Sequence, residues 1–322
     1  MKRVAFGTTG ISVSQLCYGT MSFGGDADAA EAKKLYGACR DAGINFFDTA
    51  NVYSRGVSEE YLGRLIKGER DQLVISSKGF GAMSDDINDR GANRRNIALA
   101  VEASLKRLGT DRLDVYFMHM WDAATPLEET LRGLEKLVAD GKVLYLGASN
   151  YAAWQIAKAL GISDKRGWPR FEVLQPMYNL VKRQVETEIL PLALSEGLAV
   201  MPYSPLGGGL LTGKYAGGAK PEKARHVALD MYAQRYGEAW VHDVAAEYTG
   251  FCSQRGLNPV STAVAWAAAH PGVTCPIIGA RNVAQLQPSL AAVEVNMTAE
   301  LRAEISALSR EPAIATDRSE ES

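Results

Sequence analysis

Cysteine and histidine are scarce in this chain, four of each in 322 residues. Cys17, Cys39, Cys252 and Cys275 lie far apart, with no CxxC pair and no histidine at ligand spacing. That pattern argues against structural zinc and a disulfide framework and fits reduced thiols in a cytoplasmic protein. His119, His226, His242 and His270 are too few and too dispersed for a metal-dependent hydrolase, which needs clustered ligands, so no metal site is expected. A dominant charge is missing too. The 35 Lys and Arg nearly balance 37 Asp and Glu, a net charge of -2, which removes the bulk electrostatic case for nucleic acid or an anionic membrane. Long apolar runs are absent. The leading MKRVAFGTTGISVSQLCYG is interrupted by Gly7 and Gly10, so it lacks a signal-peptide core, and no later stretch approaches a membrane span. No low-complexity linker divides the chain. One domain over residues 1–322 is expected, with a hairpin over 1–15 and a loose polar tail over 311–322.

What is present is alternation. Short apolar runs, LCYGT, NFFD, LVISS, LDVYFM, VLYLGAS, EVLQP, LAVMPYS and VTCPIIG, take turns with amphipathic stretches, the pattern of a parallel sheet built from βαβ units. The count of runs is eight. Two helices have strong local signals. In TPLEETLRGLEKLVADG, Thr125 is the expected N-cap, with Pro126 at the first helical position, Glu128 closing a capping box and Gly141 as the stop. Ile97, Val101, Leu105 and Leu108 form an apolar stripe on another helix, a core face. Ala216–His226 reads as a loop after the seventh strand.

Polar residues stand just past three of the strand-like runs: Asp48 with Tyr53, then Lys78, then His119. The carboxyl edge of the strands is where βα units place catalytic groups. Singly, each has a structural explanation as a cap, a loop wedge, a solvated strand end or a core histidine. Together they form an acid/base set. A carbonyl that accepts hydride at carbon needs a proton at oxygen, and a tyrosine of pKa about 10 is a weak donor unless a neighbouring ammonium favours its phenolate. Lys78 is placed to lower the Tyr53 pKa, Asp48 to hold Lys78, and His119 to orient the carbonyl.

Asp48, Tyr53, Glu59, Leu62 and Gly63 repeat a pattern of the aldo/keto reductase superfamily, and the chain resembles that family along almost its whole length. The resemblance is nearest to the branch of bacterial reductases and potassium-channel β subunits. It implies a (β/α)8 TIM barrel with an N-terminal β-hairpin and extra C-terminal helices, a catalytic tetrad of Asp48, Tyr53, Lys78 and His119, and NADPH rather than NADH as cofactor. Residues implied to hold the cofactor begin with Gly19, Thr20, Met21 and Asp48. Ser149, Asn150 and Gln175 match the set that binds the nicotinamide carboxamide, and Tyr203 matches the ring that stacks on the nicotinamide. Ser204, Pro205, Leu206, Gly208, Gly213 and Lys214 would follow the pyrophosphate. Gly279, Arg281 and Gln285 would serve the adenosine end, where an arginine suits a 2′-phosphate. Pro288 and Ser289 stand where relatives carry Glu and Asn for adenine.

Gly208, Gly213 and Lys214 also imitate a P-loop, but Tyr215 replaces the Ser or Thr that would hold magnesium. Phe23, Tyr53, His119, Trp121 and Met120 are the expected surroundings of a small-molecule carbonyl or alcohol. The sequence is compatible with a monomer or a homo-oligomer. The rival function is a cofactor-binding regulatory or redox-sensing partner with little turnover, as the likeness to channel β subunits allows.

Overall fold

The structure is a computed structural model that describes residues 1–215, 230–316 and 318. The expected loop at Ala216–His226 lies outside the described residues, as does most of the last part of the tail. The chain opens with an antiparallel hairpin, β1 (Arg3–Ala5) and β2 (Ser12–Ser14). Eight parallel strands follow: β3 (Cys17–Gly19), β4 (Phe46–Asp48), β5 (Val74–Gly79), β6 (Leu113–Met118), β7 (Val143–Ser149), β8 (Phe171–Gln175), β9 (Ala199–Val200) and β10 (Ile277–Ile278), with spatial order β10-β3-β4-β5-β6-β7-β8-β9. Backbone hydrogen bonds close the ring. Thr274 and Cys275 donate to the Val200 carbonyl and Ile277 donates to that of Pro202. The fold is the expected (β/α)8 barrel.

Helices α1 (Ala29–Asp41), α2 (Val57–Ile66), α3 (Arg94–Leu108), α4 (Leu127–Ala139), α5 (Ala153–Arg166) and α6 (Ile189–Glu196) follow β3 to β8 in turn. Between β9 and β10 lie α7 (Asp230–Arg235), α8 (Ala239–Gln254) and α9 (Pro259–Ala268), while α10 (Val283–Leu290) and α11 (Ala299–Ser306) come after the last strand. The stripe of Ile97, Val101, Leu105 and Leu108 is buried, as its spacing requires. Asn93 caps α3 by accepting from the Asn96 amide. One expected cap is wrong. Helix α4 starts after Pro126, which occupies the cap position, and Thr125 instead donates its hydroxyl to Asp122, 2.7 Å away. Asp122 also accepts from the Ala92 and Ala124 amides, so it competes successfully for the threonine.

Two apolar layers sandwich the strands. Outward residues such as Ile75, Tyr116 and Leu146 pack under the helices, whereas Cys17, Phe46, Val74, Val115, Phe117 and Val173 fill the barrel interior. The hairpin plugs one end. Phe6 and Val13 join the interior cluster, Phe6 stands edge-on to Phe46 at 5.3 Å, and Tyr145 donates to the Thr9 carbonyl. Gly147 is required by this filling. A β-carbon there would lie 2.3 Å from the ring of Phe117, its neighbour across the β6–β7 ladder.

Candidate active site

Side chains on a strand point alternately to its two faces. Phe46 and Val74 point into the barrel, so two residues on, Asp48 and Ser76 do as well, and Lys78 follows in the same phase. Val115 and Phe117 put His119 on the same side; Val173 does so for Gln175, and Ala199 and Met201 do so for Tyr203. Successive strands thus raise one ring of polar groups above the apolar filling, at the carboxyl ends.

At the centre is Lys78, fully buried. Its ammonium donates to Asp48 Oδ2 at 2.5 Å, to the Thr49 carbonyl at 2.7 Å and to the Tyr53 hydroxyl at 3.3 Å. Asp48 is held on its other oxygen by Ser76 Oγ at 2.7 Å and Gln175 Nε2 at 3.0 Å. Ser76 stands directly across the β4–β5 ladder from Asp48, and its inward phase, visible in ISSK, is the signal that marks it beside the residues expected from the sequence. Tyr53 comes from the turn after β4. Ser54 and Arg55 have left-handed backbone, with φ of 47° and 52°, and Ser54 Oγ donates to the Phe23 carbonyl at 2.9 Å, tying this turn to the loop after β3. The His119 ring stands edge-on to Tyr53, 6.1 Å between centroids. The four residues separated in sequence meet here.

Electrostatics at this site differ from the expectation in one respect. Burial raises the Tyr53 pKa and outweighs the downward pull of the Lys78 charge and hydrogen bond, since Asp48 partly offsets that charge. Tyr53 is therefore a firmly protonated phenol. Burial alone would lower the Lys78 pKa, but Asp48 and the Tyr53 oxygen reverse the effect and hold it above its ordinary value. For His119, burial followed by the nearby ammonium pushes the pKa down to about 3, so the imidazole is neutral. The arrangement offers a hydroxyl proton, a fixed cation behind it and a neutral imidazole alongside.

Beside these four lie Ser149, Asn150 and Gln175. Ser149 and Gln175 are buried, and Ser149 Oγ donates to the Gln175 carbonyl at 2.9 Å. Asn150 has a φ of 59°, and its amide nitrogen donates to the His119 carbonyl while its oxygen accepts from Tyr203 at 2.7 Å. Tyr203 is followed by Ser204, also left-handed at φ 59°, whose carbonyl accepts from buried Asn179 Nδ2 at 3.0 Å. Asn179 was not anticipated as the brace of this turn. Beyond Pro205 and Leu206, Gly207, Gly208 and Gly209 all have positive φ, the Gly207 amide donates to the Ser204 carbonyl and the Gly209 amide to that of Leu206, both at 2.9 Å, and Gly213 ends the segment. A β-carbon on Gly209 would lie 2.3 Å from Lys214 Nζ, so the bare glycine makes room for that ammonium.

At the far end, Gly279 faces the Gly19 carbonyl, and the Arg281 amide donates to Gln285 Oε1 at 3.3 Å. The Arg281 guanidinium is ion-paired with Asp26, Nε to Oδ2 2.8 Å. Thr20 is not open to solvent: its hydroxyl meets Ser58 Oγ and the Asp48 carbonyl. Ser289 is buried in α10, and Ser261 Oγ donates to the Pro288 carbonyl, so both residues serve the packing of α10 on α9.

The mouth of the site is aromatic. Trp121 stands edge-on to Tyr151 at 5.3 Å and to the exposed Trp154 at 5.7 Å, and Met120 is exposed too. Phe23 does not share this position. It is fully buried against Tyr18, at 5.8 Å, and the expectation that it lines a substrate pocket fails because the loop after β3 folds it into the core. Among the described residues no group of His, Cys, Asp and Glu is placed to hold a metal, and no helix is long and apolar enough to cross a membrane.

Comparison with known proteins gives the family. The chain is 39% identical over 297 residues to a probable voltage-gated potassium channel subunit beta of Arabidopsis thaliana, covering 90% of each chain. It is 37% identical to an uncharacterized oxidoreductase of Bacillus subtilis over 94% of each, and 35% identical to a norsolorinic acid reductase of Emericella nidulans over 92% of this chain and 79% of that one. The model of the aldo/keto reductase family matches residues 15–310, nearly the whole barrel, and with that match the chain belongs to the aldo/keto reductase family.

Proposed function

We propose that this protein reduces an aldehyde or ketone to the alcohol with NADPH, and runs the reverse oxidation with the same groups. The observation that carries the reading is the Tyr53 hydroxyl 3.3 Å from a buried ammonium that Asp48 holds at 2.5 Å. The donor set fits a nicotinamide dinucleotide. Gln175 Nε2 is committed to Asp48, which leaves its Oε1 to accept from a carboxamide, with Ser149 and Asn150 beside it. Tyr203 supplies a flat face, the bare glycines at 207–209 let a pyrophosphate approach the backbone closely, and Arg281 supplies a cation for a 2′-phosphate. When bound, the cofactor supplies the hydride.

The protein supplies everything else. Neutral His119 donates an N–H hydrogen bond to the carbonyl oxygen and fixes its approach to Tyr53. As negative charge grows on that oxygen, Tyr53 gives up its proton, and Lys78 stabilises the phenolate left behind. This is electrostatic stabilisation by a preorganised group, effective because the ammonium is buried. Asp48, Ser76 and Gln175 keep Lys78 and each other in place. Trp121 and Met120 offer apolar surface at the mouth to a carbonyl substrate. Tyr53→Phe removes the proton donor while leaving the ring. NADPH consumption with a panel of aromatic and aliphatic carbonyls is expected to fall about 10²–10⁴-fold, with NADPH affinity little changed. Equal turnover by Tyr53→Phe would refute the assignment.

The plant relatives named as channel subunits motivate a second reading, in which the bound cofactor reports redox state to a partner and turnover is slow. Strong NADPH binding with no turnover on any carbonyl of the panel, together with a partner retained in one redox state only, would favour it.

A further inference from the structure

The loop from β3 to α1, residues 20–28, is fastened to the segment that follows β10. Ser22 Oγ donates to the Ala280 carbonyl at 2.7 Å, the Val283 amide donates to Glu31 Oε1 at 3.2 Å, and between these ties Asp26 pairs with Arg281 at 2.8 Å. The loop is also braced internally, since the Ala27 amide donates to the Ser22 carbonyl and the Gly24 amide to that of Ala27. Asp26 is half exposed and Arg281 is 22% exposed, so the carboxylate is the outer member of the pair. The turn that carries it is braced within the loop, and its carboxylate meets the arginine.

These two groups have opposite preferences for an adenosine ribose. A carboxylate accepts a hydrogen bond from a 2′-hydroxyl and repels a 2′-phosphate, whereas a guanidinium binds the phosphate. We propose that the Asp26–Arg281 pair is a cofactor selector that lets this protein take NADH as well as NADPH, with Asp26 accepting from the 2′-hydroxyl and Arg281 receiving the 2′-phosphate. The inference rests on the oxidoreductase reading above and amends its preference for NADPH. Because Asp26 is paired with Arg281 in a turn braced at its backbone, a 2′-phosphate must share the guanidinium with a like charge. The discrimination between the two cofactors is accordingly weak in the wild type.

Calorimetric titration of NADP⁺ and NAD⁺ tests this without turnover. The wild type is expected to bind both, with affinities within about tenfold. Asp26→Asn, nearly isosteric, should raise the ratio of NADP⁺ to NAD⁺ affinity by roughly tenfold, through tighter NADP⁺ and weaker NAD⁺. Arg281→Met should lower that ratio, and in the double variant the gain for NADP⁺ should vanish. Asp26→Ser carries the same expectation should the asparagine variant misfold. A ratio unchanged within twofold in Asp26→Asn, or weaker NADP⁺ binding, would overturn the selector and make Asp26 a mere support for Arg281. Absence of binding of either dinucleotide to the folded wild type would overturn the oxidoreductase reading itself, and the selector with it.

Discussion

Replacing Asp48 by asparagine tests the central ion pair more sharply than any change at the mouth. Lys78 is fully buried, and its charged partner lies 2.5 Å away, while the Thr49 carbonyl and the Tyr53 hydroxyl are its remaining ligands. Breaking a buried pair from one side costs about 3–5 kcal/mol, because the other charge stays behind without compensation. The pH dependence identifies the cause. In the wild type the Lys78 pKa is raised, so the stability it contributes is present below the unfolded value of about 10.4 and is lost only as pH climbs through the raised folded value. In Asp48→Asn burial is no longer opposed by a carboxylate and the folded pKa drops. The unfolded chain then binds the extra proton, and the variant loses about 1.4 kcal/mol for each pH unit below about 10.4, until the lysine charges in the folded state. Urea denaturation of both proteins between pH 7 and pH 10 should show a gap of about 3–5 kcal/mol at pH 7, narrowing by about 2 kcal/mol or more toward pH 10. Adding Lys78→Met to the variant should restore much of the loss, since no charge remains buried. A gap that is flat with pH, or under about 1 kcal/mol at pH 7, would refute the reasoning.

Other consequences follow from the same geometry. Because the His119 pKa lies at about 3, reduction rates should show no inflection near pH 6.5, and stability should fall by about 1.4 kcal/mol per unit between pH 6.5 and pH 3 from this group; His119→Gln should flatten that acid limb in denaturation experiments. The raised Tyr53 pKa predicts reduction that holds its rate to about pH 10 and declines above it, with alcohol oxidation, which needs the phenolate, rising through the same range in steady-state assays. Gly147→Ala should lower stability by about 1–3 kcal/mol by forcing its new methyl against Phe117, and Phe117→Leu in the same chain should recover part of it, as read from thermal melts.

Polar residues just past the strand ends, together with the family pattern, made much of the candidate site legible, and the period of two in the strands explains why they share one face. Once Phe46 and Phe117 face inward, Asp48 and His119 must, and the same step carries Val173 to Gln175. What the sequence concealed lies in the loops. Thr125 has every local mark of a cap, yet a carboxylate three residues earlier takes its hydroxyl. Phe23 resembles a pocket residue until the loop after β3 turns it toward Tyr18. Asp26 and Arg281 are 255 positions apart, and no local pattern joins them. The seventh and eighth strands were found as apolar runs, but regular pairing covers two residues of each, because the ring is completed there by isolated backbone bonds instead of a full ladder.

Strand β5 has a consequence of its own. Ser76 and Lys78 face inward to Asp48, while Ser77, between them, faces outward and donates to buried Glu59, which Arg107 on α3 neutralises. One strand therefore carries two ion-paired networks on opposite sides of the barrel wall. The outer one fastens helices to strands, and the inner one orders the proton donor. Neither can form unless the strand is in register, since a slip of one residue would exchange the two faces. Assembly of the wall and assembly of the chemistry are a single event. On refolding from denaturant, activity should return with the same time constant as tertiary structure, and a partly folded barrel should have none.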